Sequence, residues 1–433
     1  MNYLRILQLL LVLLLVGCRS VREVSEIRPD KSISSGSSAL RSGYPITDLV
    51  KLQPDIPVPV NPPRTMVTVL DSLMSDPLLE YAQAGIYVYD LTLGKAVFDY
   101  GSKLRLRPAS TQKVLTAVTA LTQLGIGHRY KTSLYTSGKQ SGGTLRGAIC
   151  VKGSFDPHLN QIDLRAFADA LLNKKIRKVE GPLILDLSFK DTLEAGEGWC
   201  WDDENPSLSP LTVGGEETFA AEFRKVLSQK GITVTGHDTC MVLPSDAVLL
   251  RTRSHSLDQV LLPMMKASDN QMAESMFYQL AGRSGKPWAT AQDAVKVING
   301  FIASKLHLDP THYRVADGSG LSLYNYVTPE LLVAFLRYAW ENEAVRVSFL
   351  PSLPIAGIDG TLKKRMKETT AYGNVKAKTG TLTGVSSLAG YATAANGHQL
   401  CFAIIVHGQR KGSEARLFQD KICQIITAPF DAQ

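Results

Sequence analysis

Ser110 and Lys113 stand three positions apart in the run Pro108-Ala109-Ser110-Thr111-Gln112-Lys113. On a helix, that spacing puts both side chains on one face and within reach of each other. A serine hydroxyl is a poor nucleophile at its own pKa and needs a base, and a lysine pressed against apolar walls can shed its proton near neutral pH and serve as one. A helix N-terminus adds partial positive charge and free N–H groups, which favour the alkoxide and the oxyanion that follows it. Ser-x-x-Lys occurs once in the chain. Alone it also describes a capped helix with a solvated lysine, so its meaning depends on what else the chain supplies.

Two further groups supply chemistry. Ser268-Asp269-Asn270 precedes Met272, Ala273, Met276, Phe277 and Leu280 at helical spacing, and offers a hydroxyl to relay a proton and an amide to hold a peptide carbonyl, besides the makings of an N-cap. Val375-Lys376-Ala377-Lys378-Thr379-Gly380-Thr381 reads as a strand. There Lys378 is a cation for a terminal carboxylate, Thr379 a hydroxyl donor, and the N–H of Thr381 an oxyanion donor. Gly380 falls where a bulky side chain would block an approaching substrate.

The elements that must position these residues are legible around them. Met66, Val67, Val69, Leu70, Leu73 and Met74 predict a short amphipathic helix, and residues 85–91 a strand that meets 96–98 across a four-residue turn. Val114, Leu115, Val118, Leu121 and Leu124 recur at helical spacing up to Gly125. Residues 387–392 and 400–407, joined at Asn396-Gly397, predict a second hairpin. Between Lys113 and Ser268 the texture changes: 143–152 and 181–187 are strand-like, 164–172 and 219–227 helical, as in a small α+β subdomain.

Length and composition bound the rest. The chain has 433 residues, 44% hydrophobic and 20% charged, which excludes a wholly disordered chain, a collagen and a polytopic membrane protein. Its 47 basic and 40 acidic residues give a net charge of +7 without a long Lys/Arg block, so a solvated surface with a slight cationic bias is expected and no nucleic-acid partner. Lys363-Lys364-Arg365 is read the same way, and Trp199 and Trp201 as core aromatics. The His residues are scattered outside any HExxH or HxxEH pattern, so no metal is expected, and the serine chemistry calls for no organic cofactor. After Met1 to Arg5 an apolar run over 6–16 fits a signal h-region and ends in Leu15-Val16-Gly17-Cys18, which resembles the lipobox of bacterial lipoproteins, where the Cys becomes the lipidated N-terminus. Residues 19–64, rich in Ser, Pro and charge, then read as a tether reaching about 35 to 40 Å. Cys150, Cys200, Cys240, Cys401 and Cys423 leave open one or two disulfides or buried free thiols.

Ser-x-x-Lys, Ser-x-Asn and Lys-Thr-Gly in that order resemble the signature of the penicillin-binding proteins and serine β-lactamases. Gly198-Trp199 with Trp201-Asp202-Asp203, Asp317-Gly318-Ser319-Gly320-Leu321-Ser322 and Gly357-Ile358-Asp359-Gly360-Thr361-Leu362 narrow the resemblance. They point to the D-alanyl-D-alanine carboxypeptidase/endopeptidase family, the type-4, class C low-molecular-mass penicillin-binding proteins, from about Met66 to the C-terminal region. The resemblance implies an α+β fold: a transpeptidase-like domain, an antiparallel sheet flanked by helices, over 65–127 and 250–433, with an inserted subdomain at 128–249 that lacks one strand-rich module of its relatives. It implies a bacterial, lipid-anchored hydrolase facing the periplasm, probed covalently by β-lactams and acting on peptidoglycan stem peptides. Ser110, Lys113, Ser268, Asn270 and Lys378 would be catalytic, and Thr379, Gly380, Thr381 and Asp156 would bind substrate, Asp156 from a turn in Gly153-Ser154-Phe155-Asp156-Pro157. Carboxypeptidase and endopeptidase action stay equally open, because both proceed through the same kind of acyl-enzyme. A β-lactamase shares the acylation apparatus, but no Glu-x-x-x-Asn element lies between Ser268 and Lys378. A silent wall-binding or β-lactam-sensing lipoprotein is the remaining alternative.

Overall fold

A computed structural model describes residues 64–430. The leader with Cys18, and the tether up to residue 63, lie outside the described residues. In chain order, α1 (Met66–Leu73) precedes a hairpin of β1 (Gln83–Asp90) and β2 (Lys95–Tyr100), and then α2 (Gln112–Leu124). Next come β3 (Arg129–Ser141), β4 (Thr144–Lys152), α3 (Gln161–Asn173), β5 (Lys178–Glu180), β6 (Leu183–Asp186), α4 (Phe219–Gln229), β7 (Thr233–Val234), β8 (Asp238–Cys240) and β9 (Val248–Ser256). The helices α5 (Leu257–Lys266), α6 (Asn270–Gly282), α7 (Ala291–Lys305), α8 (Pro329–Glu341) and α9 (Glu343–Ser352) follow. The chain then runs through β10 (Lys376–Leu382), β11 (Val385–Thr393), β12 (Gln399–His407) and α10 (Gly412–Thr427).

Strands from both ends of this chain make one five-stranded sheet in the order β10-β11-β12-β1-β2, with antiparallel neighbours. Alternation along the strands sorts side chains between two cores. Leu400, Phe402, Ile404 and Val406 of β12 join Ile86 and Val88 of β1 against Leu70 of α1 and Phe418, Ile422 and Ile426 of α10. The intervening Cys401, Ala403 and Ile405 face the other way, into a core built with Val114, Leu115 and Val118 of α2, Met276 and Phe277 of α6, and Leu332, Phe335 and Leu336 of α8. Because α2 is enclosed on all sides, every residue from Gln112 to Leu121 is buried. An antiparallel sheet flanked by helices is the fold class that the ordered motifs implied.

A second sheet holds β7-β5-β4-β3-β9, with β6 on β4 and β8 on β6. Its β3–β4 and β3–β9 pairs are antiparallel and the rest parallel. Phe167 and Leu171 of α3 and Phe219, Phe223 and Val226 of α4 close its own core over Leu134, Ile149 and Val151. Ser275 Oγ and Gln279 Nε2 of α6 donate to Phe155 O (3.1 Å) and Ser154 O (2.5 Å), so the turn after β4 is fastened to the helix that begins at Asn270.

Two expectations need correction. Trp201 is 93% exposed and not a core aromatic, because its neighbour Trp199 takes the inward position and donates from Nε1 to Asp317 Oδ2 at 2.9 Å. Arg365 leaves the solvated face expected of its basic run: it is half-buried and its guanidinium donates to Asp420 Oδ1 at 2.7 Å, tying the segment before β10 to α10. All five described cysteines are free, with Cys150, Cys401 and Cys423 buried.

Candidate active site

Three separate parts of the chain converge around Ser110. It lies in a single 3₁₀ turn (Ala109–Thr111) that feeds directly into α2, so its backbone N–H belongs to a helix start. The turn is held from outside: Thr111 Oγ1 donates to Pro108 O at 2.7 Å, and Ser387 Oγ of β11 donates to the same carbonyl at 2.5 Å. Ala109 sits at φ 47°, a left-handed conformation that costs a non-glycine residue on the order of 1–3 kcal/mol. Gly320 makes room for it, since a Cβ at that position would run into the Ala109 carbonyl. Gly380 does the same from β10: an added Cβ would meet Pro108 O at 2.7 Å and Ser110 N at 2.9 Å. Glycine is therefore required there by the approach of the strand to the serine turn, a different reason from the substrate clearance expected from sequence.

Lys113, one helical turn on, is completely buried, and its Nζ donates to Ser110 Oγ (3.0 Å), Asn270 Oδ1 (2.7 Å) and Ser319 O (2.8 Å). Burial pushes its pKa down to about 8, against the opposing pull of Asp317, Glu274 and Asp269. A neutral amine has two protons and one lone pair. Asn270 and Ser319 accept the two protons, which leaves the lone pair directed at the Ser110 hydroxyl, the arrangement a general base needs.

Ser268 also sits in the left-handed region, at φ 65°, just ahead of the Asp269 cap of α6. Its hydroxyl accepts from Lys378 Nζ at 2.8 Å, and the same nitrogen donates to Thr379 O at 2.7 Å. Lys378 is wholly buried, and burial together with the Lys113 cation holds its pKa well below the ordinary lysine range. Thr379 Oγ1 donates to Thr361 Oγ1 at 2.8 Å. β10 is the outer strand of its sheet, so backbone groups on its free side, Thr381 among them, are not used by the ladder with β11.

The structure thus joins Ser110, Lys113 and Asn270 in one network and Ser268, Lys378 and Thr379 in a second, with Gly380 packed against the Ser110 turn. Asp156 belongs to neither: its buried carboxylate meets His255 Nδ1 at 2.8 Å and the His158 N–H at 3.0 Å.

Three residues of the site escape motif reading. Glu274, fully buried on α6, accepts from the backbone N–H of Ser319 (2.8 Å) and Gly318 (3.1 Å). Asp317 receives Gly320 N (2.8 Å), Ser322 N (2.7 Å) and Asn325 Nδ2 (2.7 Å), besides Trp199. Ser319 supplies the carbonyl that holds Lys113. The Asp-Gly-Ser-Gly run was the available signal, but its role as a lysine rest is visible only in three dimensions. Among the described residues no group of three or more His, Cys, Asp or Glu side chains is arranged to hold a metal, and no helix is long and apolar enough to cross a membrane.

A sequence profile of the D-Ala-D-Ala carboxypeptidase 3 (S13) family matches residues 66–214 and 211–428. The chain is 27% identical to D-alanyl-D-alanine carboxypeptidase DacB of Haemophilus influenzae over 80% of this chain and 90% of that protein. It is 28% identical to a D-alanyl-D-alanine carboxypeptidase of an Actinomadura strain, over 82% of each. The crystal structure of penicillin binding protein 4 (dacB) from Haemophilus influenzae is similar with a TM-score of 0.75 at 26% identity, covering 82% of this chain and 97% of that one. A second structure of that protein, complexed with a β-lactam, gives a TM-score of 0.69.

Proposed function

The chain belongs to the D-Ala-D-Ala carboxypeptidase 3 (S13) family, and on that premise we propose that it is a penicillin-binding serine D-Ala-D-Ala carboxypeptidase acting on peptidoglycan stem peptides. The observation that carries this reading is the buried Lys113 amine, 3.0 Å from the Ser110 hydroxyl and satisfied on its other two sides.

In the proposed mechanism Lys113 takes the Ser110 proton as Oγ attacks the carbonyl carbon before the terminal D-residue. The C–O bond forms, and the carbonyl electron pair moves onto oxygen, facing the N–H groups of Ser110 and Thr381. Collapse of that intermediate breaks the C–N bond, and the leaving amine takes a proton passed through Ser268. Asn270, whose Oδ1 is engaged by Lys113, turns its amide N–H groups to the substrate carbonyl. Lys378 and Thr379 receive the terminal carboxylate, and an arriving anion restores the ammonium that burial disfavours. Water then cleaves the acyl-enzyme and frees Ser110. These residues do the chemistry without a metal or organic cofactor.

We further propose that the chain is a lipoprotein. Cys18 is the lipidation site, 1–18 the leader and 19–64 the tether, and an outer-membrane anchor faces the enzyme to the periplasm; the lipobox supports this. In the same reading 128–249 is an inserted subdomain in a catalytic domain of 65–127 and 250–433, shorter than in relatives. The alignment to the Haemophilus protein supports that shortening, since it extends over 433 positions while taking in 80% of this chain. Asp156 is proposed to act on substrate only through the turn it braces.

The test is incubation of the purified protein with a stem pentapeptide and, separately, with a cross-linked muropeptide dimer. Released D-Ala, absent with Ser110→Ala, is the expected result, and monomer from the dimer would add endopeptidase action. Neither product from a protein that hydrolyses nitrocefin rapidly would overturn the reading in favour of a β-lactamase.

A further inference from the structure

Behind Lys113 lies a carboxyl group that the mechanism above does not use. Glu274, on the first turns of α6, is buried to 2% exposure and, among the described residues, makes no ion pair within 4 Å. It accepts instead from two consecutive peptide N–H groups, Ser319 (2.8 Å) and Gly318 (3.1 and 3.3 Å). The carbonyl of that same Ser319 accepts from Lys113 Nζ at 2.8 Å, and the carbonyl of Gly318 accepts from Thr116 Oγ1, one turn further along α2, at 2.7 Å. One two-residue stretch of backbone is thus clamped between a carboxyl on its N–H side and the base and its helix on its C=O side. Gly318 must be glycine for this, because a Cβ there would meet Ala273 O at 2.8 Å.

Resting on the Ser110–Lys113 reading, we propose that Glu274 is a positioning residue for the general base. It fixes the Ser319 carbonyl against Lys113 and, through its buried charge, sets the pH at which Lys113 becomes free to accept the serine proton. The charged groups that act on this lysine are Asp317 from the loop between α7 and α8, Glu274 from α6 and Asp269 from its cap, with Lys378 of β10 as the neighbouring basic group. Asp317 already accepts from the Gly320 and Ser322 N–H groups and from Asn325 Nδ2. Glu274 holds fewer donors, and burial with Asp317 pushes its pKa up to about 8, the region where Lys113 itself titrates. An ionised Glu274 stabilises the Lys113 ammonium, whereas a neutral group at the same place does not. Removing the charge while keeping the acceptor therefore lowers the pKa of Lys113.

The experiment is the second-order rate of acylation of the full chain by benzylpenicillin, followed by intact mass from pH 5 to 10, for wild type, Glu274→Gln and Glu274→Asp, with thermal unfolding as the check on folding. Glu274→Gln keeps an oxygen for the Gly318 and Ser319 N–H groups. It is expected to move the acid limb of the profile to lower pH by about half a unit or more. Glu274→Asp keeps the charge with a shorter reach, and is expected to lower the rate while holding the wild-type midpoint. A limb that stays in place in Glu274→Gln, whatever the rate, overturns the proposal, as does a Glu274→Asp midpoint displaced toward lower pH. A wild type that forms no adduct at any pH instead overturns the serine acyl-enzyme on which the proposal rests.

Discussion

Lys378 Nζ donates to Ser268 Oγ at 2.8 Å, so the strand motif and the helix-cap motif are one hydrogen-bonded unit although 110 positions separate them in the chain. That contact holds the hydroxyl of a residue whose backbone is in a left-handed conformation, at φ 65°. It also places the Lys378 amine beside the hydroxyl through which, in the proposed mechanism, the leaving amine receives its proton. Ser268→Ala removes the relay and leaves the Ser110–Lys113 pair in place. Acylation by a peptide substrate is expected to slow by about 10² to 10⁴-fold, measured as single-turnover release of D-Ala.

In the proposed mechanism the Lys113 amine acts as the base only when neutral. With burial holding its pKa at about 8, the acylation rate should fall as pH drops below that value, because the ammonium has no lone pair for the serine proton. An acid limb with a midpoint near 8 is expected in the wild type. Lys113→Arg, whose guanidinium stays protonated, should lose activity by more than about 10²-fold at every pH. A limb centred near the ordinary carboxylate range would assign the base elsewhere.

Lys378 is held well below the usual lysine range by burial and by the neighbouring Lys113 cation. A substrate carboxylate brought to it favours the ammonium, so binding should draw in a proton. Calorimetry in two buffers of different ionisation enthalpy, using acylation-deficient Ser110→Ala and a stem pentapeptide near pH 8, is expected to show net proton uptake. Lys378→Ala should abolish that uptake and weaken binding at least about tenfold.

Gly380 faces the Pro108 carbonyl and the Ser110 N–H at distances that leave no room for a methyl group. Gly380→Ala must push β10 away from the serine turn. About 1–3 kcal/mol of stability should be lost, together with at least about tenfold in acylation rate, because the oxyanion donors move apart. Thermal unfolding and adduct formation on the same sample check both parts.

Asp317 gathers Trp199, Gly320, Ser322 and Asn325 around one buried carboxylate. Asp317→Ala leaves those donors without an acceptor, and the expected loss is about 3 kcal/mol or more in chemical denaturation. Trp199→Phe, which removes one donor and leaves the carboxylate well served, should cost no more than about 1–2 kcal/mol.

What the sequence reveals divides along a physical line. Ser110 and Lys113 are three apart at a helix start, so their spacing already implies a shared face, whereas Ser268 and Asn270, two apart across the cap of α6, are close in the chain but enter different networks. The hairpin of β11 and β12 is equally plain from the Asn396-Gly397 turn between two apolar runs, but the side of β12 that meets each core is not, because Leu400, Phe402 and Ile404 and the intervening Cys401, Ala403 and Ile405 are all apolar and all buried. Glu274 was illegible because its partners are peptide groups 44 and 45 positions away, and backbone N–H groups have no residue type to betray them. Residues 181–187 read as a strand and β6 lies within them, but β5, β7 and β8 are obscure from sequence, since they are two or three residues long and carry too little pattern to be read. Trp199 and Trp201 look alike in sequence. Only the position of Asp317 decides which of them turns inward.

The central claim is that Ser110 is the nucleophile of a covalent acyl-enzyme. Intact-protein mass after incubation with benzylpenicillin, beside Ser110→Ala, tests it most directly. The account predicts a stable adduct of one penicilloyl group on the wild type and none on the variant. An unmodified wild-type protein with the drug recovered intact, or an adduct that survives the loss of Ser110, would contradict it.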